Sequence, residues 1–443
     1  MEKHPLQIMM ERRKNGEKVG IPSYCTANKL VLEAVLKRAK ENGKPVLIEA
    51  TANQVNQFGG YTGMVPQDFY NYVLSMASKI GVPEKQIILA GDHLGPLTWQ
   101  DLPESEAMER AEELVYQYTR AGFTKIHLDT SMKLADDPEG LLSTETIARR
   151  GARLYKSCMK AYDDLLKVNP AAVRPVFIIG SEVPIPGGAQ EKEEGLSVTK
   201  PEDFLNTVEV YRQEFAKAGV PDGMRDVIAV VVQPGVEFGD EQVFFYDREK
   251  AKNLCAALEK CPGIAFEGHS TDYQRRTFLR QMVEDGIVIL KVGPALTYSL
   301  RESLFALTMI ERELVPKSEQ AYFIETLEQA MTQKPENWKK HYHGSYHELE
   351  IARKYSYSDR ARYYLGEPKV EAAIEKLFAN LERYTIPMNM LHQYLPREYN
   401  EVRRGTIENS PKELALRGVT YYLEDYEYAA FGEVGAEESR DAI

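Results

Sequence analysis

Residues 264–294 read IAFEGHSTDYQRRTFLRQMVEDGIVILKVGP. Two nearly continuous apolar runs, IAFEGHS from Ile264 and IVILKVGP from Ile287, flank a stretch of helical character. Each run ends on polar side chains, Glu267 and His269 in the first and Lys291 in the second. Apolar runs without alternation suit strands buried on both faces. Strand, helix and strand in succession imply parallel pairing with a right-handed crossover. The same unit recurs upstream: VGIPSYC from Val19, PVLIEAT from Pro45, IILAGDH from Ile87, KIHLDT from Lys125, PVFIIGSE from Pro175 and VIAVVVQP from Val227. Between two of them, Met108, Ala111, Val115 and Tyr118 recur at helical spacing, and Gly122 stands where a C-terminal cap belongs. Eight units predict an α/β chain folded as a (β/α)8 TIM barrel. A doubly wound sheet is the alternative. It calls for a Gly-rich phosphate loop after its first strand, where this chain has SYCTANK, and no Gly-x-x-x-x-Gly-Lys segment occurs.

The barrel is expected to close near Pro294 and to end with the helix through LRESLFALTMIERELV. This gives a catalytic barrel over 1–315 and a C-terminal α-helical extension over 316–443, in which Phe323, Ile324, Leu327, Ala330 and Met331 form one apolar face. The 443 residues carry 55 Lys and Arg against 67 Asp and Glu, a net charge of −12, which argues against a coat for nucleic acid or an anionic membrane. No apolar run approaches the ~20 residues of a membrane span, and the first residues lack a secretory pattern. Cys25, Cys158, Cys255 and Cys261 form no Cys-x-x-Cys pair, so a cytoplasmic location with free thiols is expected.

The polar residues at the strand ends carry the functional reading. Glu49, Asp92, His93, His127, Asp129, Glu182, Gln233, Glu267, His269 and Lys291 all fall at or near the C-terminal ends of the expected strands. A parallel barrel opens those ends onto one face. A lone Glu or His at a strand end is most often a satisfied buried group or a helix cap. Burying this many ionisable groups without a function is costly, which favours metal binding or acid/base work. His127 and Asp129 alternate and so point the same way, and one of them is expected to be structural. His93, Glu182 and His269 offer two imidazoles and a carboxylate, a set suited to Zn2+ first, with Mn2+, Co2+ or Ni2+ as alternatives. Asn53 and Gln54, ahead of the Gly-rich loop NQFGGYTGM, are candidate substrate contacts. The segment PGGAQEKEEGLSVTK after Glu182 reads equally as a lid or an inert excursion. His341, His343 and His347 read as a solvated surface group.

Taken together, the segments IPSYCTAN, LIEATANQVNQFGGYTGM, GDHLGP, AGFTKIHLD, EVPIPGGA, VVVQPGVEF, EGHSTDYQ, LKVGPALT and YSYSDRARYY resemble the tagatose-bisphosphate aldolase accessory-subunit family of the GatZ/KbaZ type over nearly the whole chain. The resemblance implies a TIM barrel related to class II zinc aldolases. It also implies one of two activities. The first is a metal-dependent 4-epimerase that interconverts fructose 6-phosphate and tagatose 6-phosphate, or the free ketoses. The second is a non-catalytic subunit that stabilises a class II tagatose-1,6-bisphosphate aldolase. By that resemblance Asp92 is the acid/base and His93, Glu182 and His269 hold the metal; proton transfer on both sides of C4 asks for a second carrier, Glu49 or Asp129; and Gln233, Ser270, Thr271, Asp272, Lys291 and Gly293 are candidate substrate contacts. Arg360 in the YSYSDRARYY segment is a candidate phosphate ligand, or else a solvated helix charge. Two departures argue against ordinary aldolase activity: Gln233 replaces the aldolases' middle histidine, and Gly293 replaces their substrate-binding Asn. The expected partners are a ketose or ketose phosphate, an aldolase subunit or a second copy of the chain, with neither nucleic acid nor membrane.

Overall fold

A computed structural model describes residues 3–181 and 196–432. All eight expected runs are strands: β1 Ile21–Cys25, β2 Val46–Thr51, β3 Ile87–Leu94, β4 Lys125–Leu128, β5 Val176–Ile179, β6 Val227–Val232, β7 Ala265–Gly268 and β8 Ile287–Val292. They close into one parallel barrel in sequence order, with β8 pairing back onto β1 through Ile21 opposite Ile289 and Ser23 opposite Lys291. The fold class is the (β/α)8 barrel with additional C-terminal helices.

Helices cover the outside for the reasons the sequence offers. The helix Glu104–Ala121 buries Met108, Ala111, Val115 and Tyr118 and stops at Gly122, whose φ of 105° suits glycine. The helix Lys29–Asn42 starts where Asn28 Oδ1 accepts from the amides of Leu30 and Val31. At the bottom of the barrel the helix Pro5–Lys14 acts as a plug. Its Leu6 and Met9 join Leu47, Ile88, Val176, Ile178, Val231, Val288 and Ile289 in an apolar cluster separate from the core between strands and helices.

The chain beyond residue 315 returns to the barrel. The helix Pro294–Leu314 follows β8, and the last helix, Pro411–Phe431, packs on it as well as on Lys29–Asn42, Arg276–Glu284 and β1. Gly20 N–H donates to Ala430 O at 2.9 Å, and Tyr426 Oη donates to Thr271 O at 2.7 Å. The two long helices touch at Gly418, where a Cβ would collide with Ser303 Oγ. Among the described residues, no helix is long and apolar enough to cross a membrane.

Candidate metal centre and active site

Above the apolar bottom, the barrel interior becomes ionic. Lys125 on β4 is fully buried and reaches Glu49 on β2 and Glu267 on β7, the latter at 2.6 Å. Lys291 on β8 lies 3.1 Å from the other oxygen of Glu49 and also contacts Asp92. Burial alone raises the Glu49 carboxyl, but Lys125 and then Lys291 overcome it and leave it lowered to about 2. Glu267 is held well below the usual carboxylate range against the same burial, mainly by Lys125.

The next level is imidazole. Strand β3 would point Asp92 and His93 to opposite sides, but its register with β4 shifts between Gly91 and Leu94, and His93 turns with φ 47°. Both side chains therefore face inward. Gly95 lets the next loop close over them, since a Cβ there would collide with the backbone carbonyl of Asp129. Each of the three histidines rests one nitrogen on a carboxylate. His93 Nδ1 pairs with Asp129 Oδ2 at 2.8 Å, His127 Nδ1 with Asp92 Oδ1 at 2.9 Å, and His269 Nε2 with Glu267 Oε1 at 3.0 Å. Metal-binding histidines commonly carry such a carboxylate partner. The opposite nitrogen of His127, Nε2, is buried and makes no hydrogen bond. Burial lowers His127 and His269 to about 4, so both rings are neutral and free to act as ligands.

The residues fit a divalent ion on two independent grounds. The three ring centroids lie 4.9, 5.2 and 5.2 Å apart. A tetrahedral ion about 2 Å from each ring nitrogen sets imidazole centroids about 5 Å apart. The charges also ask for a cation. Four buried carboxylates, Glu49, Asp92, Asp129 and Glu267, face two ammoniums, an excess of two negative charges when all are ionised. Among the described residues, Asp92, His127, Glu267 and His269 offer donor atoms that all lie within 4.8 Å of one another. Glu267 is already committed to Lys125, and Asp92 to Lys291, so the imidazoles are the better ligands, with His93 as the third.

The cavity over these groups is lined by Asp92, His93, His269 and Lys291, and by Asn53, Gln54, Ser270, Asp272 and Gly293, as the sequence suggested. Cys25, Thr51, Tyr61, Phe238, Pro294, Arg362 and Tyr363 complete it. Other expected residues lie elsewhere. Glu49 and Asp129 sit beneath the cavity with their oxygens engaged, Asp129 by His93 and Ser131 and Glu49 by the two lysines. Gln233 folds back to accept from the amides of Gly235 and Val236, so it shapes its own loop. Thr271 donates to Lys291 O and braces β8. Arg360 turns away and donates to Asn337 O at 3.1 Å.

Arg362 stands at the mouth in place of Arg360. Asp359, in a left-handed conformation, is clamped by Arg301 Nε at 2.8 Å and Thr297 Oγ1 at 2.6 Å, and the turn Arg360–Tyr363 hangs from that anchor. The ring of Tyr363 then meets Tyr61 from the β2 loop edge-on at 4.9 Å. The sequence places His127 at a strand end beside Asp129 but does not single it out as a ligand, and it gives Lys125 no role. The signal was present: Lys125, His127 and Asp129 share one strand face at period two. Glu182 and most of the loop after it lie outside the described residues. His343 and His347 are exposed, as a solvated surface group would be, but His341 is half-buried, with its Nδ1 enclosed and making no hydrogen bond.

Comparison with known proteins bears on the fold and the family. A crystal structure titled as a probable tagatose 6 phosphate kinase from Sinorhizobium meliloti 1021 is 46% identical, with TM-score 0.85, covering 93% of this chain and 100% of that one. A fructose-bisphosphate aldolase from Campylobacter jejuni matches at 16% identity and TM-score 0.46, over 85% and 92% of the two chains. The YdjI aldolase from Escherichia coli K12 matches at 14% and 0.41, over 87% and 98%. No argument rests on these last two. The family described as D-tagatose-1,6-bisphosphate aldolase subunit GatZ/KbaZ-like matches residues 6–431, and with a match of that extent the chain belongs to the GatZ/KbaZ-like family.

Proposed function

We propose that the protein is a metal-dependent 4-epimerase that interconverts fructose 6-phosphate and tagatose 6-phosphate, or the free ketoses, by reversible aldol cleavage between C3 and C4. The supporting observation is the buried excess of two negative charges around three convergent imidazoles, two of which, His93 and His269, line a cavity with Asp92 and Lys291. His93, His127 and His269 would hold the ion, with Zn2+ as the first choice for three imidazoles. A bound divalent ion supplies Lewis-acid polarisation of the ketose carbonyl.

The chain's own groups handle the protons. The hydrogen on C4 is not acidic, so inversion is easier by breaking the C3–C4 bond than by removing that hydrogen. Asp92 is fixed by His127 and by the His93 amide through Oδ1 and faces Lys291 through Oδ2. It takes the C4 hydroxyl proton as the C3–C4 electrons move toward the carbonyl and C4 becomes an aldehyde. The aldehyde rotates, C3 adds to its other face, and a second carrier protonates the new C4 oxygen. Lys291, which lines the cavity and contacts Asp92, fits that role better than Glu49 or Asp129, whose oxygens are occupied below. Asp129, Glu267 and Asp92 orient the three rings.

A second reading is favoured by the family description itself: a subunit that supports a class II aldolase and has no turnover of its own. One experiment separates the two. Purified protein is given fructose 6-phosphate with saturating Zn2+, Mn2+, Co2+ or Ni2+, or with a chelator, and products are resolved by 13C NMR. The epimerase reading expects tagatose 6-phosphate with metal and none with chelator. No product under any metal, with stimulation of an added aldolase, would establish the subunit reading instead.

A further inference from the structure

The first turn of the helix after β8 is where barrels of this kind hold a substrate phosphate, on backbone amides. In this chain that turn has no amide to give. Gly293 and Ala295 both donate to Asp272 Oδ1, at 3.0 and 2.9 Å. Pro294 has no N–H, and Leu296 N–H donates to Gly293 O at 3.0 Å. Two nearby hydroxyls are also engaged, Thr297 with Asp359 and Thr271 with Lys291 O. Asp272 reaches this position from the β7 loop, where Ser270 and Tyr273 take left-handed conformations at φ 52° and 61°. It is 2% exposed and lines the cavity three residues from His269.

The geometry points to Asp272 as a specificity determinant: it fills the phosphate position with the chain's own carboxylate, so the site takes a ketose whose C1 is a free hydroxymethyl group and refuses one phosphorylated there. This rests on the ketose reading above. A ketose seated with C4 at Asp92 and its C2 and C3 oxygens at the imidazoles would have room for C1 toward Asp272, which lines the same cavity as His269. A hydroxyl there can donate to a carboxylate, a charge-assisted bond. A phosphate would instead meet a buried like charge and, on the β8 turn, no free amide. Phosphate at C6 is unaffected. The same cavity therefore accepts a 6-phosphate and rejects a 1,6-bisphosphate, the reverse of what a bisphosphate aldolase needs.

The test is calorimetric titration of the full-length, Zn2+-loaded protein with fructose, fructose 6-phosphate, fructose 1-phosphate and fructose 1,6-bisphosphate. The wild type should bind the two C1-phosphorylated sugars at least about tenfold more weakly than their C1-free counterparts. Asp272→Asn, which can keep both amide bonds without the charge, should narrow that gap at least about threefold. Equal affinity in the wild type, or an unchanged gap in Asp272→Asn, overturns the inference. Failure of fructose and fructose 6-phosphate to bind would mean that the ketose reading fails. The inference is then decided by crystals soaked in inorganic phosphate. Phosphate on the Gly293 and Ala295 amides in Asp272→Ala but not in the wild type upholds the part that stands without a ketose, the exclusion of phosphate by Asp272. Phosphate there in the wild type, or in neither, overturns it.

Discussion

The barrel interior is two materials. Below Lys125 it is hydrocarbon: Leu47, Ile88, Val176, Ile178, Val288 and Ile289, sealed by Leu6 and Met9 of the N-terminal plug. From Lys125 upward it holds two ammoniums, four carboxylates and three imidazoles, nearly all without solvent exposure. The lower half needs only shape and hydrophobicity, and each of its side chains stabilises the fold independently of charge. In the upper half every charged group relies on its neighbour, because an ion left unpaired in the interior costs several kcal/mol. That arrangement is justified by chemistry at the mouth, and substitutions in the two halves should fail in different ways.

The sharpest contrast is expected at Asp92. Asp92→Asn keeps the shape and removes the base, so turnover should fall about 10^2- to 10^4-fold, measured by initial rates with fructose 6-phosphate. Next comes Lys125→Met, which leaves Glu49 and Glu267 buried against each other. It should lose about 3–5 kcal/mol in urea unfolding. Ile178→Ala in the lower half should lose about 2–5 kcal/mol by the same measurement while kcat per folded molecule stays unchanged. If Ile178→Ala abolished turnover at saturating substrate, the two halves would not be separable.

Acid gives a third contrast. In the chelated protein His127 and His269 are lowered from 6.5 to about 4. The unfolded chain therefore binds protons between pH 6.5 and 4 that the folded chain does not, so stability falls as pH drops through that window. Glu49, lowered from 4.5 to about 2, contributes stability that is present above 4.5 and lost as pH falls toward 2. Thermal melts from pH 7 to 3 should show Tm falling from about 6.5 downward, and excess Zn2+ should suppress the upper part of that fall. Smaller still is the effect at the mouth: Arg362→Lys should raise KM for fructose 6-phosphate by about tenfold, and Arg360→Lys should leave it within twofold.

Most of this contrast could be read in the sequence. The eight apolar runs were visible because both faces of each strand are buried, and the strand-end placement of Glu49, Asp92, His93, Asp129, Glu267, His269 and Lys291 followed from them. What escaped depends on local backbone geometry or on partners far away in the chain. The sequence allows Asp92 and His93 to share a pocket through a strand-to-loop turn, and the left-handed His93 at the end of β3 supplies it. Lys125 looks like a strand's first residue until Glu49 and Glu267 are seen on either side. Arg360 and Arg362 are two apart in a tight turn, and only the Asp359 anchor decides which one reaches the mouth. Asp272 resembled a substrate ligand in sequence, and its bonds to Gly293 and Ala295 appear only when two loops meet.

The account stands or falls on whether the three imidazoles hold a working ion. Chelated protein should be titrated with Zn2+ while the conversion of fructose 6-phosphate to tagatose 6-phosphate is followed. Activity should rise linearly and level off at one ion per chain, and His127→Ala should show no such break. Turnover that survives complete chelation, or none at any Zn2+ ratio in protein shown to bind the ion, would contradict it.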